Sequence, residues 1–163
     1  HVRSRRQRQM CIRDRHKKHE IIQRYADIVE ELDMDRDILT TIDETLEKHI
    51  RELKDKPARL YDAIVSCGED FNAQLIATYN NSQGVPTKYI SPKDAGILVT
   101  DLPKQAQILD SAYEQIFKLN DYKEKLIIPG FFGVSKHNFI VTFPRGGSDI
   151  TGAIIARGVK ASL

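Results

Sequence analysis

The sequence predicts an α/β fold built as a three-layer α/β/α sandwich, with a mainly parallel sheet between helices. From about residue 58 onward, short apolar and β-branched runs alternate with segments whose apolar residues recur every three or four positions. Glycine-containing segments join two of these runs directly to the helical segments that follow them. Such alternation is typical of parallel sheets that are covered by helices. A chain of 163 residues is also long enough to bury one core.

The first part of the chain is predicted to be helical. Apolar residues keep steps of three and four from Glu20 to about Leu53, and a polar segment at residues 33–35 interrupts them. Two amphipathic helices are therefore expected, and their packing on a domain is favoured over a coiled coil because neither sustains enough heptads. We expect a helical region over residues 16–57 and an α/β part over residues 58–163.

The α/β part is predicted to start with a strand at residues 63–67, which leads through Gly68 into a helix over residues 69–81. A turn that contains Gly and Pro follows at residues 82–86. The same periodicities predict the remaining elements. They are strands at residues 89–91, 97–99, 126–129 and 138–143, and helices at residues 108–117 and 150–158.

The junction after the last strand carries the most informative residues of the chain. Gly146 and Gly147 lack a Cβ atom, so they can take positive φ and let a ligand approach the backbone. The N–H groups that open the next helix attract anions, and Ser148 or Asp149 is expected to cap that helix. Arg145 adds a planar guanidinium that can hold a carboxylate through two parallel hydrogen bonds. The predicted ligand carries a carboxylate or a phosphate.

A tight turn with a good helix cap is the structural alternative for residues 145–149, because short glycine motifs often occur without a ligand. The spacing matches neither the Walker phosphate loop nor the Gly-x-Gly-x-x-Gly motif of dinucleotide-binding proteins. The known phosphate-binding loops therefore do not explain this segment.

A second junction is predicted at residues 67–69. Glu69 would lie in the first turn of a helix, where the helix dipole favours a carboxylate and where an ammonium group could bind it. A helix-capping acid without a ligand is the alternative. Ligands of open α/β sheets bind beyond the carboxyl ends of the strands, so both junctions are expected to face one crevice. An anion-binding Arg145 and a cation-binding Glu69 together suggest an amino acid as the ligand.

Three motifs occur in order along the chain: Ser-Cys-Gly-Glu at residues 66–69, Pro-Gly-Phe-Phe-Gly at residues 129–133 and Arg-Gly-Gly-Ser-Asp at residues 145–149. Together they resemble the signatures of the aspartokinases. A Val-Thr-Asp segment at residues 99–101 and the long helical stretch before the first motif agree with the same family. The resemblance runs from about residue 19 to residue 163, and three motifs in order are far more specific than any one of them.

The resemblance implies transfer of the γ-phosphoryl group of ATP to the side-chain carboxylate of L-aspartate. The product would be 4-phosphoaspartate, which serves lysine, threonine and methionine biosynthesis. Arg145 is implied to bind the α-carboxylate of the substrate, and Glu69 its α-amino group. Asp149 is the implied catalytic residue, which organises the substrate and the catalytic lysines, and Ser148 and Phe131 are implied to line the same pocket.

The resemblance also implies the partners of the protein. They are ATP and Mg²⁺. The Mg²⁺ ion, together with lysine side chains, would neutralise the negative charge of the loose transition state of phosphoryl transfer. A homo-oligomer is implied for the full-length enzyme, and a cytoplasmic location is expected because no signal-peptide pattern occurs. We expect no membrane partner, because no run of about eighteen apolar residues occurs. Two cysteines, Cys11 and Cys67, indicate neither a disulfide framework nor a cysteine metal site.

The chain departs from the family pattern near the third motif. Phe143 and Pro144 replace a Leu-Gly pair, and His137 and Asn138 replace a glycine in the preceding turn, so we expect altered loop detail with the site retained. The Lys-x-Gly-Gly motif that opens the family does not occur. We expect an incomplete amino-acid kinase-like fold that lacks most of the ATP site and is inactive alone.

Two other functions remain open. The first is another kinase of the same fold that phosphorylates a different acid. The second is a binding or regulatory module without catalysis, whose residues 1–15 contact nucleic acid, because this basic arm carries six arginines against one aspartate. The arm lacks interleaved aromatic residues and resembles a translated sequencing adaptor. We therefore interpret it as an artefactual or disordered tail and expect no nucleic-acid partner.

Overall fold

The structure of the protein, a computed structural model, describes the backbone of residues 5–162 and the side chains of residues 17–162. The chain divides into two units, one up to Lys48 and the other from His49 onward. Part of the predicted basic arm, residues 1–4, lies outside the described residues, and the helix that follows is described for residues 5–15 by its backbone alone. The prediction of an artefactual or disordered arm stays a prediction.

The first unit is helical, as the sequence predicts. Helix α1 spans Arg5–Glu31 and helix α2 spans Asp37–Leu53, so the break predicted near residues 33–35 is confirmed. Asp33 takes a left-handed φ of 50° in that break. Lys18 of α1 forms ion pairs with Asp43, at 2.7 Å, and with Glu47 of α2. Burial lowers the pKa of Lys18, but hydrogen bonds to the two carboxylates outweigh burial and raise it.

The second unit begins with the end of α2 and continues into a single long helix, α3, which spans Pro57–Ser82. The strand predicted at residues 63–67 is therefore wrong. Its apolar residues belong to a helical stripe that buries positions at steps of three and four, and Pro at the start of a helix favours its initiation. Buried members of this stripe are Ala63, Ser66, Cys67, Phe71 and Leu75.

Five short strands follow in two small sheets. In the first sheet β1 (Thr87–Tyr89) pairs in parallel with β3 (Lys125–Ile127). In the second sheet β4 (Phe132–Ser135) lies between β2 (Leu98–Val99), to which it is parallel, and β5 (Ile140–Thr142), to which it is antiparallel. Most pairings are parallel, as predicted, but β4 and its hairpin with β5 were not predicted.

The remaining helices are α4 (Ala112–Phe117), a 3₁₀ turn (Lys118–Asp121) and α5 (Gly147–Gly158). Helix α4 begins later than the predicted residue 108. Ile108 instead forms an antiparallel bridge with Val99 of β2, which holds this part of the chain extended. Among the helices of the described residues, none combines the length and the apolar character that a bilayer crossing requires.

Helices cover both faces of β5, which confirms the α/β/α arrangement. Val141 and Phe143 are buried in one apolar cluster with Ile116 of α4 and Ile154 of α5. Thr142 lies between them in sequence and reaches α3 on the other face, because side chains alternate along a strand. The cluster contains Ile90, Ala95, Ile97, Val99, Ala106, Ala112, Ile116, Leu119, Val141, Phe143 and Ile154.

Candidate active site

The predicted strand-to-helix junction at residues 145–149 is confirmed. Strand β5 ends at Thr142, and α5 starts at Gly147. Gly146 is the residue that precedes the helix, with a φ of 83° and a ψ of 17°, a left-handed conformation that favours glycine. The first helical hydrogen bond of α5 runs from Ile150 N–H to the Gly146 carbonyl, at 3.0 Å. The N–H groups of residues 147–149 precede this bond and point out of the helix start, where anions bind.

The expectation that Ser148 or Asp149 caps α5 is wrong. The capping position belongs to Gly146, and no side chain accepts a hydrogen bond there. With the left-handed Gly146 in the capping position, the helix begins at Gly147, before either predicted cap. Ser148 and Asp149 instead lie exposed in the first turn. A carboxylate there still interacts favourably with the helix dipole.

The loop before β4 packs tightly against this junction. A Cβ atom on Gly147 would lie 2.8 Å from Cδ2 of Phe131, and one on Gly130 would lie 3.1 Å from Cα of Ser148. Phe131 itself takes a positive φ of 75° and donates its N–H to Oγ1 of Thr151, at 3.1 Å. The second and third motifs, which are well separated in sequence, therefore form one surface, and its two glycines permit the close approach.

Arg145 and Asp149 flank this surface. Both are exposed, and within the described side chains neither forms an ion pair. The Arg145 guanidinium thus keeps its donors free for a ligand that lies near the N–H groups of α5. The arrangement suits a carboxylate, which accepts two parallel hydrogen bonds from a guanidinium.

The second predicted junction does not form. Glu69 lies exposed in the middle of α3, one position after the exposed Gly68, and not at the end of a strand. The argument that placed it at the carboxyl end of a sheet therefore fails. Any role for Glu69 in ligand binding rests on the motif resemblance and on the solvent exposure of its side chain.

Next to Glu69, a cavity of about 150 Å³ opens between α3 and the β4–β5 hairpin. Asp70 lies on its wall and accepts hydrogen bonds from Tyr89 Oη and from Gln74 Nε2. Burial raises the pKa of Asp70, although these hydrogen bonds and His49 oppose the shift. Burial likewise raises the pKa of the Cys67 thiol to about 12, so this thiol stays protonated. Glu69 does not line the cavity.

One buried acid was missed by the sequence analysis. Asp62 of α3 has no solvent exposure, and its carboxylate accepts a hydrogen bond from Thr142 Oγ1, at 3.0 Å. Recognising residues 57–82 as one helix would have placed Asp62 on the buried stripe, four positions before Ser66. An aspartate at such a position needs buried hydrogen-bond partners, so the pattern would have indicated a specific contact there.

The fold and the glycine junction define a class of α/β protein in which a glycine pair joins a strand to a helix. A family model described as "Amino acid kinase family" matches residues 7–163, so the chain belongs to that family. It is 42% identical over 143 residues to aspartokinase 3 of Bacillus subtilis (strain 168), an alignment that covers 88% of this chain and 32% of that protein. The predicted resemblance to aspartokinases is confirmed.

Solved structures agree. The aspartate kinase of Clostridium acetobutylicum superposes with a TM-score of 0.65 at 34% identity, over 88% of this chain and 30% of that one. Escherichia coli aspartokinase III, solved in complex with aspartate and ADP, superposes with a TM-score of 0.64 at 21% identity, over 91% of this chain and 33% of that one, and supports the fold alone. The chain spans about a third of the length of these relatives.

Proposed function

We propose that this chain supplies the acceptor-binding part of an aspartate kinase, which converts ATP and L-aspartate into 4-phospho-L-aspartate and ADP. The observation that carries the proposal is the contact between the Phe131 loop and the Gly147 junction. This contact brings two of the three motifs together in one surface, in a chain whose relatives are named aspartokinases, and we infer that this surface binds the carboxylate.

Arg145 would bind the α-carboxylate of aspartate. Its guanidinium is exposed and free of ion pairs among the described side chains, so no protein carboxylate has to be displaced. Gly146 and Gly147 would let this carboxylate approach the backbone, and Ser148 would add a hydroxyl donor from the first helical turn. Phe131 would lie beside this carboxylate, because its ring packs closely against Gly147.

Glu69 would receive the α-amino group, since it is an exposed carboxylate in the first motif. Asp149 would organise the substrate and the lysines of the complete site from the first turn of α5. Phosphoryl transfer passes through a loose transition state, so these groups contribute by positioning and by charge and not by covalent chemistry.

Mg²⁺ is the ion that ATP-dependent phosphoryl transfer uses. Within the described residues, no group of three or more His, Cys, Asp or Glu side chains is close enough to hold a metal ion. Mg²⁺ at nucleotide sites is usually held by one or two carboxylates together with the substrate phosphates, and we assign no step to the ion here. ATP, the homo-oligomer and the cytoplasmic location belong to the proposal for the full-length protein.

The proposal is tested by ADP release from the full-length protein with a set of acids. We expect L-aspartate to stimulate release, L-glutamate to do so poorly, and succinate to bind weakly because it lacks the amino group that Glu69 would hold. The substitution Glu69→Gln is expected to raise the KM for L-aspartate while leaving the affinity for succinate unchanged. Glu114→Gln, which changes an exposed acid of α4, is the matched control.

Other outcomes would replace the proposal. Preference for another acid would identify a different carboxylate kinase of the same family, a result that the Phe143-Pro144 departure would then explain. No stimulation by any acid, together with salt-sensitive polynucleotide binding that is lost on deletion of residues 1–15, would favour the binding module.

A further inference from the structure

Asp62 is a buried carboxylate that no motif of the sequence includes. Its side chain has 0% exposure. Its Oδ1 atom accepts a hydrogen bond from Thr142 Oγ1 and its Oδ2 atom accepts one from the Lys104 N–H, both at 3.0 Å. A carboxylate without water is retained only where such partners compensate its desolvation. The two donors come from different segments, so Asp62 joins α3, β5 and the loop at residue 104.

This connection acts on the end of β5, next to the anion-binding junction. The Thr142 carbonyl accepts a hydrogen bond from Ala106 N–H, at 3.0 Å, and the next residue, Phe143, donates its N–H to the Phe131 carbonyl, at 2.8 Å. The strand end is therefore held from the α3 side, from the 104–106 loop and from the Phe131 loop. Arg145 leaves the strand three residues after Thr142.

We propose that Asp62 is a positioning residue for the anion site, which acts through Thr142 to fix where the chain presents Arg145 and the glycine pair. The kinetic part of this inference rests on the proposed function. Asp62 is fully buried, so it would act without contacting the substrate. It sets the register of the strand end relative to α3, while Phe131 holds the same segment from the other side.

The test removes one hydrogen bond at constant shape in the full-length protein. Thr142→Val removes the hydroxyl group that donates a hydrogen bond to Asp62, and Thr142→Ser keeps that hydroxyl group. We expect the valine variant to raise the KM for L-aspartate about 10- to 100-fold, because small displacements of a binding group have effects of this size. The KM for ATP should stay unchanged, and the serine variant should restore the KM for L-aspartate to within about threefold of the wild-type value.

A second measurement does not depend on catalysis. Hydrogen exchange of residues 143–150 should accelerate in Thr142→Val and not in Thr142→Ser, while residues 37–48 of α2 should exchange at the wild-type rate in both. Wild-type exchange at residues 143–150 in the valine variant would overturn the inference, as would faster exchange throughout the protein. If the wild-type protein phosphorylates no acid, the proposed function fails, and the exchange data still decide whether Asp62 positions the junction.

Discussion

Two segments of this chain have similar composition and different structures. Residues 66–69 and 145–149 each combine serine, glycine and an acid after an apolar run, and both predict a strand that leads into a helix. Only residues 145–149 lie at such a junction, between β5 and α5. Residues 66–69 lie inside the 26-residue helix α3. The composition of a glycine motif therefore does not determine the structure around it.

The flanking pattern determines the difference. Around residues 66–69, buried positions continue at helical steps from Ala63 to Leu75, so the apolar run is one part of a longer stripe. Around residues 145–149, Val141 and Phe143 are buried in the apolar cluster while Thr142 between them contacts α3, which is the alternation of a strand. A short, mostly apolar run fits either structure, and only a longer window separates the two.

The largest effect is expected at Asp149. Asp149→Ala should lower kcat by about 100-fold or more, because it removes a preorganised charge from the proposed site. The free energy of unfolding should fall by only about 0.3–1 kcal/mol, because Asp149 does not cap α5 and contributes through the helix dipole. Steady-state kinetics and urea unfolding of the full-length protein measure both quantities.

Glu114→Ala is the control for this prediction, because Glu114 is also an exposed acid in the first turn of a helix. It should change stability by a similar amount and leave kcat unchanged. A near-normal kcat in Asp149→Ala would reduce Asp149 to a helix-dipole contact and would remove the functional difference between the two acids.

The same substitution is expected to have opposite effects in the two segments. In Gly147→Ala the new methyl group would lie 2.8 Å from Cδ2 of Phe131 and 3.0 Å from Cβ of Phe143, so we expect destabilisation of about 1–3 kcal/mol. In Gly68→Ala the methyl group meets nothing within 4 Å beyond the adjoining backbone of its own helix, in a helix interior where alanine is favoured. Stabilisation of about 0.5–1 kcal/mol is expected there.

Urea unfolding of both variants checks this contrast. Equal effects at Gly147 and Gly68 would mean that the loop at Phe131 does not pack against α5 as described. The comparison of the two glycine segments would then lose its structural basis.

The smallest effect concerns pH and the α3 cavity. The pKa of Asp70 is raised mainly by burial, so below about pH 4 the carboxyl group is protonated in both the folded and the unfolded chain. As pH rises toward the raised pKa, the unfolded chain releases this proton first, and the protein loses stability. Asp70→Asn should remove that loss, so its stability relative to wild type should be greater at pH 7 than at pH 3. Unfolding curves across this range measure the difference, and a constant difference would contradict the assignment.

Much of the fold was predictable from periodicity. The helical first part, the break near Asp33 and the junction at Gly146 all have strong local signals, and the structure has each of them. Strand β4 was not predicted, because it is only four residues long and a glycine inside it weakens the strand pattern. Gly133 in fact lies where a Cβ atom would approach Ile97 O to 2.7 Å, so its glycine serves strand packing.

The site was only partly predictable for a related reason. Contacts such as Asp62 with Thr142 join residues 80 positions apart, and no local pattern encodes them. The placement of Phe131 against Gly147 depends equally on tertiary packing. The order of the motifs indicated that residues 129–133 and 145–149 belong to one site. The structure shows that the Phe131 loop packs directly against the start of α5.

The most direct test of the central claim measures the KM for L-aspartate in the full-length protein after Arg145→Lys. We expect the KM to rise about 10- to 100-fold with the KM for ATP unchanged, because one ammonium cannot replace the two parallel hydrogen bonds of a guanidinium. Arg157→Lys, at the other end of α5, should leave both constants unchanged. An unchanged KM for L-aspartate in Arg145→Lys would contradict the assignment of the β5–α5 junction as the carboxylate site.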